Sequence, residues 1–534
     1  MSTYEHDLLG RKETNTMIEG SIDGDDGSSL QQEQIKSQKV ISAVAKQDGF
    51  DDDTRCWAVS EGEDYLNHCK LSDQNNRFQD LELQNPPEQN SKSNFDIPDG
   101  GYGWVVVGAV CCINACSWGA IAGFSVILAY YMQHSVFEDG SKMAYSVISG
   151  LSFGAGLIFS PLVIYLAGIS NANIVVFSGG ACQFISLFCA SYATKIYQIY
   201  LTQGLLSGLA LSLIGSYTPS IPPQWFVKRR SFAMGLTTCG AGMGALLFNL
   251  TMQRIIDIKS VQWALRTEAI IIFSLVSISA ALLRTRTQVI NPQLKFWDGT
   301  VAKTFPFWMH IVYNFTAILS FVTVQYVIAD ATRSLGYSAD QGADTSALMA
   351  TGVIIGRPLL GFISDRLGAV TVGIWTYAVC ALFTLAMWMP GRNLATIYAY
   401  SLIIGGLMGF NWGANGAIIP RITGLKRAPA TFGMTWVFIG IAGIVSPIIG
   451  LGLKRSNSEH HQYEYVALFA GISFATTATA LFFLRGYLVA RDSLVLEDEN
   501  LKDGDRDNDN ELHVNVPWKS SLEKMFTLKS PLKV

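Results

Sequence analysis

The sequence predicts an all-α polytopic membrane protein, with about twelve transmembrane helices in two parallel six-helix pseudo-repeats and a disordered acidic tail in front. Three observations predict it. Apolar blocks of about twenty residues, the length that crosses a hydrocarbon core, recur from Tyr102 onward. Charge separates along the chain. Residues 1–95 hold 9 Lys+Arg against 19 Asp+Glu, near −10, so in a chain of net charge −4 the remainder carries about +6. Finally, one long stretch of the first half recurs in the second at a constant offset.

The elements follow in order. Residues 1–95, with runs such as "DGDD" (Asp23–Asp26) and "DDD" (Asp51–Asp53), have too little apolar surface to fold alone. They lack the basic start and apolar run of a secretory signal peptide. The first span, 102–132, opens on "PDGGYGW" (Pro98–Trp104). Asp99 is placed to cap the helix after a turn set by Pro98, and Tyr102 and Trp104 suit the headgroup level. Gly100, Gly101 and Gly103 let a neighbouring backbone come close. Spans at 143–167, 172–191, 196–220 and 231–252 follow, with Gln183, Gln203 and Asn249 as their polar interruptions. The sixth, 267–283, begins beside Glu268, and the seventh, 304–330, holds His310, Asn314 and Gln325. Arg357 lies inside the eighth, 345–364; Asn411, Trp412 and Asn415 lie in the tenth, 395–419. Spans at 370–389, 429–453 and 464–487 complete the set. Each is helical by necessity, since lipid offers no partner to a bare amide.

The repeat is explicit in the residues. Gly208 matches Gly406, Gly215 matches Gly413 and Pro222 matches Pro420, all at an offset of 198. Lys228-Arg229 then matches Lys426-Arg427, and Gly235, Thr237 and Gly242 match Gly433, Thr435 and Gly440. This register divides the chain into a cytoplasmic tail (1–95), an N-terminal six-helix bundle (96–283), a central cytoplasmic loop (284–303), a C-terminal bundle (304–490) and a C-terminal tail (491–534). Parallel six-helix repeats are the arrangement of major facilitator transporters, whose substrate site lies near midplane between the halves. An even number of spans puts both termini on one side. Tight basic groups (Lys228–Arg230, Lys426–Arg427) lie there, while Lys142, Lys195, Arg333 and Arg392 are scattered singly opposite, which makes the termini cytoplasmic. Those basic groups are expected to act as topology determinants.

Ionisable groups deep in a bilayer are costly, so each is a functional candidate. Arg357 heads them. Its guanidinium stays charged and grips a carboxylate through two parallel hydrogen bonds; the plainer reading is a structural pair with a carbonyl or acid on another helix. Under an offset of 197 the first half has Ser160-Pro161 where the second has Arg357-Pro358, so the charge is one-sided. Asn411, Trp412 and Asn415 offer a flat wall and amide donors, as a small organic ligand needs. Gly361, Asp365, Arg366 and Gly368 form a G-x-x-x-D-R-x-G group at the helix end, read as a conformational latch, with a tight turn of solvated charges as the bland alternative. His310 and Glu268 are the candidates for a proton relay, although a buried neutral histidine is the commoner state. Most cysteines (Cys111, Cys112, Cys116, Cys182, Cys189, Cys239, Cys380) fall inside spans without ligand spacing and read as small packing groups. No metal or cofactor is expected. No HExxH, facing Ser/His pair or GxxxxGK[ST] loop appears, so neither an enzyme nor an ATP-driven pump is expected.

Three pieces in order resemble the monocarboxylate transporter family, a branch of the major facilitator superfamily, across residues 96–490. They are "PDGGYGW", the fifth-span "WFVKRRSFAMGLTTCGAGMG" (Trp225–Gly244, with Lys228, Arg229 and Arg230) and the eighth-span "GRPLLG" (Gly356–Gly361). The segments "CSWGAIAGFSVILAYY" and "SLGYSADQGA" are similar to the fungal permease homologues. The resemblance implies a secondary carrier of a small organic solute, a monocarboxylate-like anion, working by alternating access, with Arg357 holding the carboxylate and Trp412 shaping the pocket. It implies a multi-pass protein of the plasma rather than the vacuolar membrane, with the solute and lipids as partners and no nucleic acid. Two departures stand out. Proton-coupled members place an acid one turn before that arginine, where this chain has Val353, and a lysine in the first helix, which Ala120–Phe124 lacks. The family's proton relay is therefore not supported. Fungal members also carry other solutes, riboflavin among them, and the long tails suit a non-transporting nutrient sensor.

Overall fold

The computed structural model describes residues 99–121, 126–127, 130–131, 136–137, 142–286, 292–293, 295–455, 462–497, 516–525 and 527. The expectations for the 1–95 tail, Pro98, the middle of the central loop and residues 498–515 lie outside them. Among the described residues nine helices are long and apolar enough to cross a bilayer, and a tenth is a pair bent by 47°. In chain order they are α1 (Gly103–Gly119), α2 (Lys142–Ile158 bent into Ser160–Ile169), α3 (Ala172–Ala190), α4 (Ile196–Gln224), α5 (Arg230–Ile258) and α6 (Val261–Leu282). Then come α7 (Phe305–Ser334), α8 (Ala339–Leu367), α9 (Ala369–Trp388), α10 (394–423), α11 (425–452) and α12 (Glu464–Glu497). The last two before α12 read as one apolar run, but Gly424, at φ 75°, turns the chain there. With the shorter α1, the described helices account for all twelve expected crossings.

The helices pair in a pattern that repeats. In the first half α1 packs on α5 and α6, α3 on α6 and α4, and α2 on α4. In the second, α7 packs on α11 and α12, α9 on α12 and α10, and α8 on α10. The halves meet along α5–α8 and α2–α11, which the repeat exchanges.

Residues matched by the offsets do matched work. A Cβ on Gly235 would come 3.2 Å from Pro358 Cα, and one on Gly433 would come 3.1 Å from Pro161 Cα. Likewise Gly242 faces Ile354 and Gly440 faces Leu157. These glycines are small because the two halves meet backbone to backbone.

Two expectations need correction. Asp99 does not cap α1: Tyr102 stands at its N-cap with no side-chain bond. Instead the Asp99 carboxylate accepts the backbone N–H groups of Val227 (2.7 Å) and Lys228 (2.8 Å), which lie ahead of α5. The motif is a staple. The Tyr102 hydroxyl donates to the Leu282 carbonyl at the end of α6, and the Arg284 guanidinium lies 4.3 Å over the Tyr102 ring. Trp104 packs on Phe226, and Gly103 leaves room for Trp225 and Phe226 against the helix. Gly101, at φ 60°, makes the turn that a side chain would strain. The aromatics therefore clasp other segments of the first half.

The basic pairs also part company. Lys228 and Arg229 are exposed, while Arg230 donates to the carbonyls of Phe226 and Pro223. Arg427 is only 6% exposed and pairs with Asp298 (3.3 Å), itself 1% exposed, and with the Thr300 hydroxyl (2.7 Å). It is an internal tie between the central loop and α11, not a solvated topology signal. Burial alone would raise the Asp298 carboxyl, but bonds from Thr300 and the charges of Arg427 and Lys295 outweigh it and hold the carboxyl below its usual range.

A group depressed in the fold contributes stability above its unfolded pKa, about 4, and loses it as the pH falls through the folded value. Asp298→Ala removes the carboxylate that balances the buried Arg427 guanidinium. It is expected to lower the unfolding midpoint of the solubilised protein by roughly 5 °C at pH 7. It should also flatten the decline expected of the unsubstituted protein below about pH 4. Superimposable midpoint-against-pH curves would show that the tie contributes nothing.

α12 continues to Glu497, past the boundary expected at 490, with Arg491 and Asp492 buried against Arg421. A final short helix, α13 (Trp518–Lys524), lies on it. Arg485 donates to the carbonyls of Met525 (3.1 Å) and Thr527 (2.9 Å), and Trp518 packs on Phe305 and Phe483.

Candidate functional site

The eighth helix brings Arg357 to the junction of the halves. Pro358 follows it inside the helix, and Gly235 of α5 packs on that step. The side chain is 7% exposed, and Nη1 donates to the Thr238 carbonyl of α5 at 2.6 Å. Nε has no partner among the described residues. Gly409 presses on the guanidinium, since a Cβ there would come 2.8 Å from Nε. Cys239 and Tyr377 are near enough to interact electrostatically with it. Thus Arg357 does engage a carbonyl of the other half, yet no carboxylate among the described residues pairs with it.

Beside Arg357 is a cavity of about 10 Å³ walled by Gly235, Gly361, Ser364, Phe410 and Gly413. That is room for about one water molecule. A second void of the same size lies between the matched corners, against Pro223, Pro420 and Phe432. In this conformation the cavity beside Arg357 is too small for an organic solute.

Asp365 joins the two halves. Its carboxylate accepts the N–H groups of Ser231 (2.7 Å) and Phe232 (2.9 Å), the first turn of α5, so an acid of one half caps a helix of the other. Gly361 allows that approach; a Cβ there would meet the Ser231 carbonyl and lie 3.0 Å from Phe232 Cα. Gly368, at φ 93°, ends α8, and the Arg366 guanidinium covers the Phe362 ring.

The tenth-helix trio divides. The Asn411 N–H donates to the Tyr377 hydroxyl (3.0 Å), while its side-chain amide is fully buried with no partner among the described residues. Asn415 donates to Asn314 (2.7 Å), which lies 3.1 Å from His310 Nε2. Trp412 joins two tryptophans not singled out from the sequence: Trp118 of α1 (centroids 5.1 Å) and Trp436 of α11 (5.6 Å). None of the trio walls the cavity, but their neighbours Phe410, Gly413 and Ala414 do. Thr238 also escapes a sequence reading, because it acts through its carbonyl and its side chain gives no signal. For Trp436 a signal existed: the offset of 198 pairs it with Thr238.

His310 and Glu268 are not brought together. His310 is buried on α7 and Glu268 on α6 of the other half; among the described residues His310 Nδ1 and Glu268 Oε2 have no partner. No hydrogen bond among the described residues joins them.

Comparison with known proteins agrees with this architecture. The profile described as Major Facilitator Superfamily matches residues 110–447 and 309–528. The chain is 36% identical over 445 residues to the "Probable transporter MCH2" of Saccharomyces cerevisiae, covering 82% of this chain and 93% of that one. Among solved structures it is similar to the human organic anion transporter MFSD10 (TM-score 0.55, 11% identity), over 71% of this chain and 100% of that one. It is likewise similar to the E. coli fucose:proton symporter FucP (TM-score 0.54, 13% identity), over 72% and 99%. At such identities the structures speak for the fold alone.

Proposed function

The chain belongs to the major facilitator superfamily, and we propose that it moves a small monocarboxylate-like anion across the plasma membrane by alternating access, with both termini cytoplasmic. The two bundles, 96–283 and 304–490, swing about the junction. Asp365 and Gly361 close one face of it, and release of that latch admits solute to Arg357. The single observation that supports the anion is the Arg357 guanidinium, buried where the halves meet, with a carbonyl for a partner and no carboxylate among the described residues. A bound carboxylate supplies the missing counter-charge and takes the donors that remain. Val353, one turn before Arg357, is apolar and buried, and no hydrogen bond among the described residues joins His310 to Glu268; both support uniport without proton coupling.

The test is counterflow into liposomes containing the purified full chain, with labelled lactate and the neutral lactamide. Lactate is expected to exchange and lactamide not, with no change on adding a protonophore. Equal exchange of lactamide would remove the role of charge. No exchange of either by intact protein would favour a sensor.

A further inference from the structure

We infer that the solute carries an aromatic ring a few bonds from its carboxylate, and that Trp118, Trp412 and Trp436 form the slot that receives it; this rests on the carboxylate reading above. The observation is where the three indoles come from. Trp118 belongs to the first half and packs on Phe153 of α2; Trp412 and Trp436 belong to the second, with Phe321 of α7 on the edge of Trp412. Trp436 stacks on both of the others, at 28° to Trp412 and 24° to Trp118, while its Nε1–H donates across the junction to the Ser216 carbonyl.

In the closed conformation the rings cover one another. When the halves part, Trp118 leaves with α1, and faces that were packed become the walls of a gap. Water is a poor occupant of such a gap, because each indole buries roughly 150–250 Å² of largely apolar surface. A planar ring restores the stack.

The slot is in register with the charge. Trp118 precedes Gly119, which packs on Gly244 of α5, six residues beyond Thr238, or about 9 Å along the helix. Trp412 does not wall the Arg357 cavity itself but directly precedes Gly413, which does. A carboxylate on Arg357 therefore holds an attached aryl group toward the indoles. The second half also has Trp436 where the first has Thr238, so the repeat places the guanidinium's carbonyl partner and the ring's partner at corresponding sites.

Proteoliposomes with labelled lactate inside test this by competition with 3-phenyllactate and with 2-hydroxyisocaproate, an aliphatic acid of comparable length. Phenyllactate is expected to compete about tenfold more strongly than either lactate or hydroxyisocaproate. Trp118→Leu should bring that ratio near one, and Trp118→Phe should keep part of it. A ratio near one in the unsubstituted protein overturns the inference, as does a Trp118→Leu protein that weakens all three acids equally; in both cases the carboxylate reading stands. If no acid exchanges at all, that reading fails and this one with it.

Discussion

Arg357→Gln is expected to lower lactate exchange by roughly 30- to 3,000-fold, the range set by truncating one partner of a buried, hydrogen-bonded charge pair. The protein should remain folded. Glutamine keeps a donor for the Thr238 carbonyl, which Arg357 now meets at 2.6 Å, while a buried charge without an ionic partner is removed. In the absence of solute the variant should therefore unfold at the same temperature or a higher one. Arg357→Lys should recover little, because a point charge cannot reproduce two parallel bonds to a carboxylate and a third to Thr238. Exchange that survives the glutamine would show that the cation holds helices together and meets no solute. Loss of folded protein would show the same.

Gly361→Val is expected to abolish exchange by a different route. Its side chain would collide with the Ser231 carbonyl and crowd Phe232 Cα, so α8 cannot reach α5 and Asp365 loses the N–H groups of Ser231 and Phe232. Those contacts lie between halves. Packing within each half is untouched, so abundance should hold while the closed face stays open. A membrane-impermeant thiol reagent should modify a Ser364→Cys probe several-fold faster in the Gly361→Val background than in its absence. Gly244→Val is the control, because Gly244 packs on the backbone of Ala115 inside one half; there the expected result is loss of folded protein. Unchanged exchange in Gly361→Val would mean that this face never closes during transport.

Both predictions begin with residues the sequence exposes. An arginine among apolar neighbours is conspicuous because lipid penalises it, and spaced glycines in a helix mark close approach. The partners are another matter. Asp99 reads as a cap for the helix it precedes, and only the fold brings Val227 and Lys228 to it. Lys426-Arg427 reads as a twin of Lys228-Arg229, yet Asp298 converts Arg427 into a buried tie. Trp118 and Trp436 lie in different spans with no local pattern to join them, so the repeat singles out the position of Trp436 but not the indole cluster.

By itself the sequence determined the helices, their number, the doubling of six into twelve and the arginine inside the eighth of them. These follow from hydropathy over a span and from register along one chain, both local or periodic properties. The tertiary structure alone decided which atoms meet: Thr238 on Arg357, Asp365 on α5, three indoles across the junction, and a cavity closed to about the size of one water. Such contacts depend on the rotation and depth at which helices cross, and side chains far apart in the chain set those together.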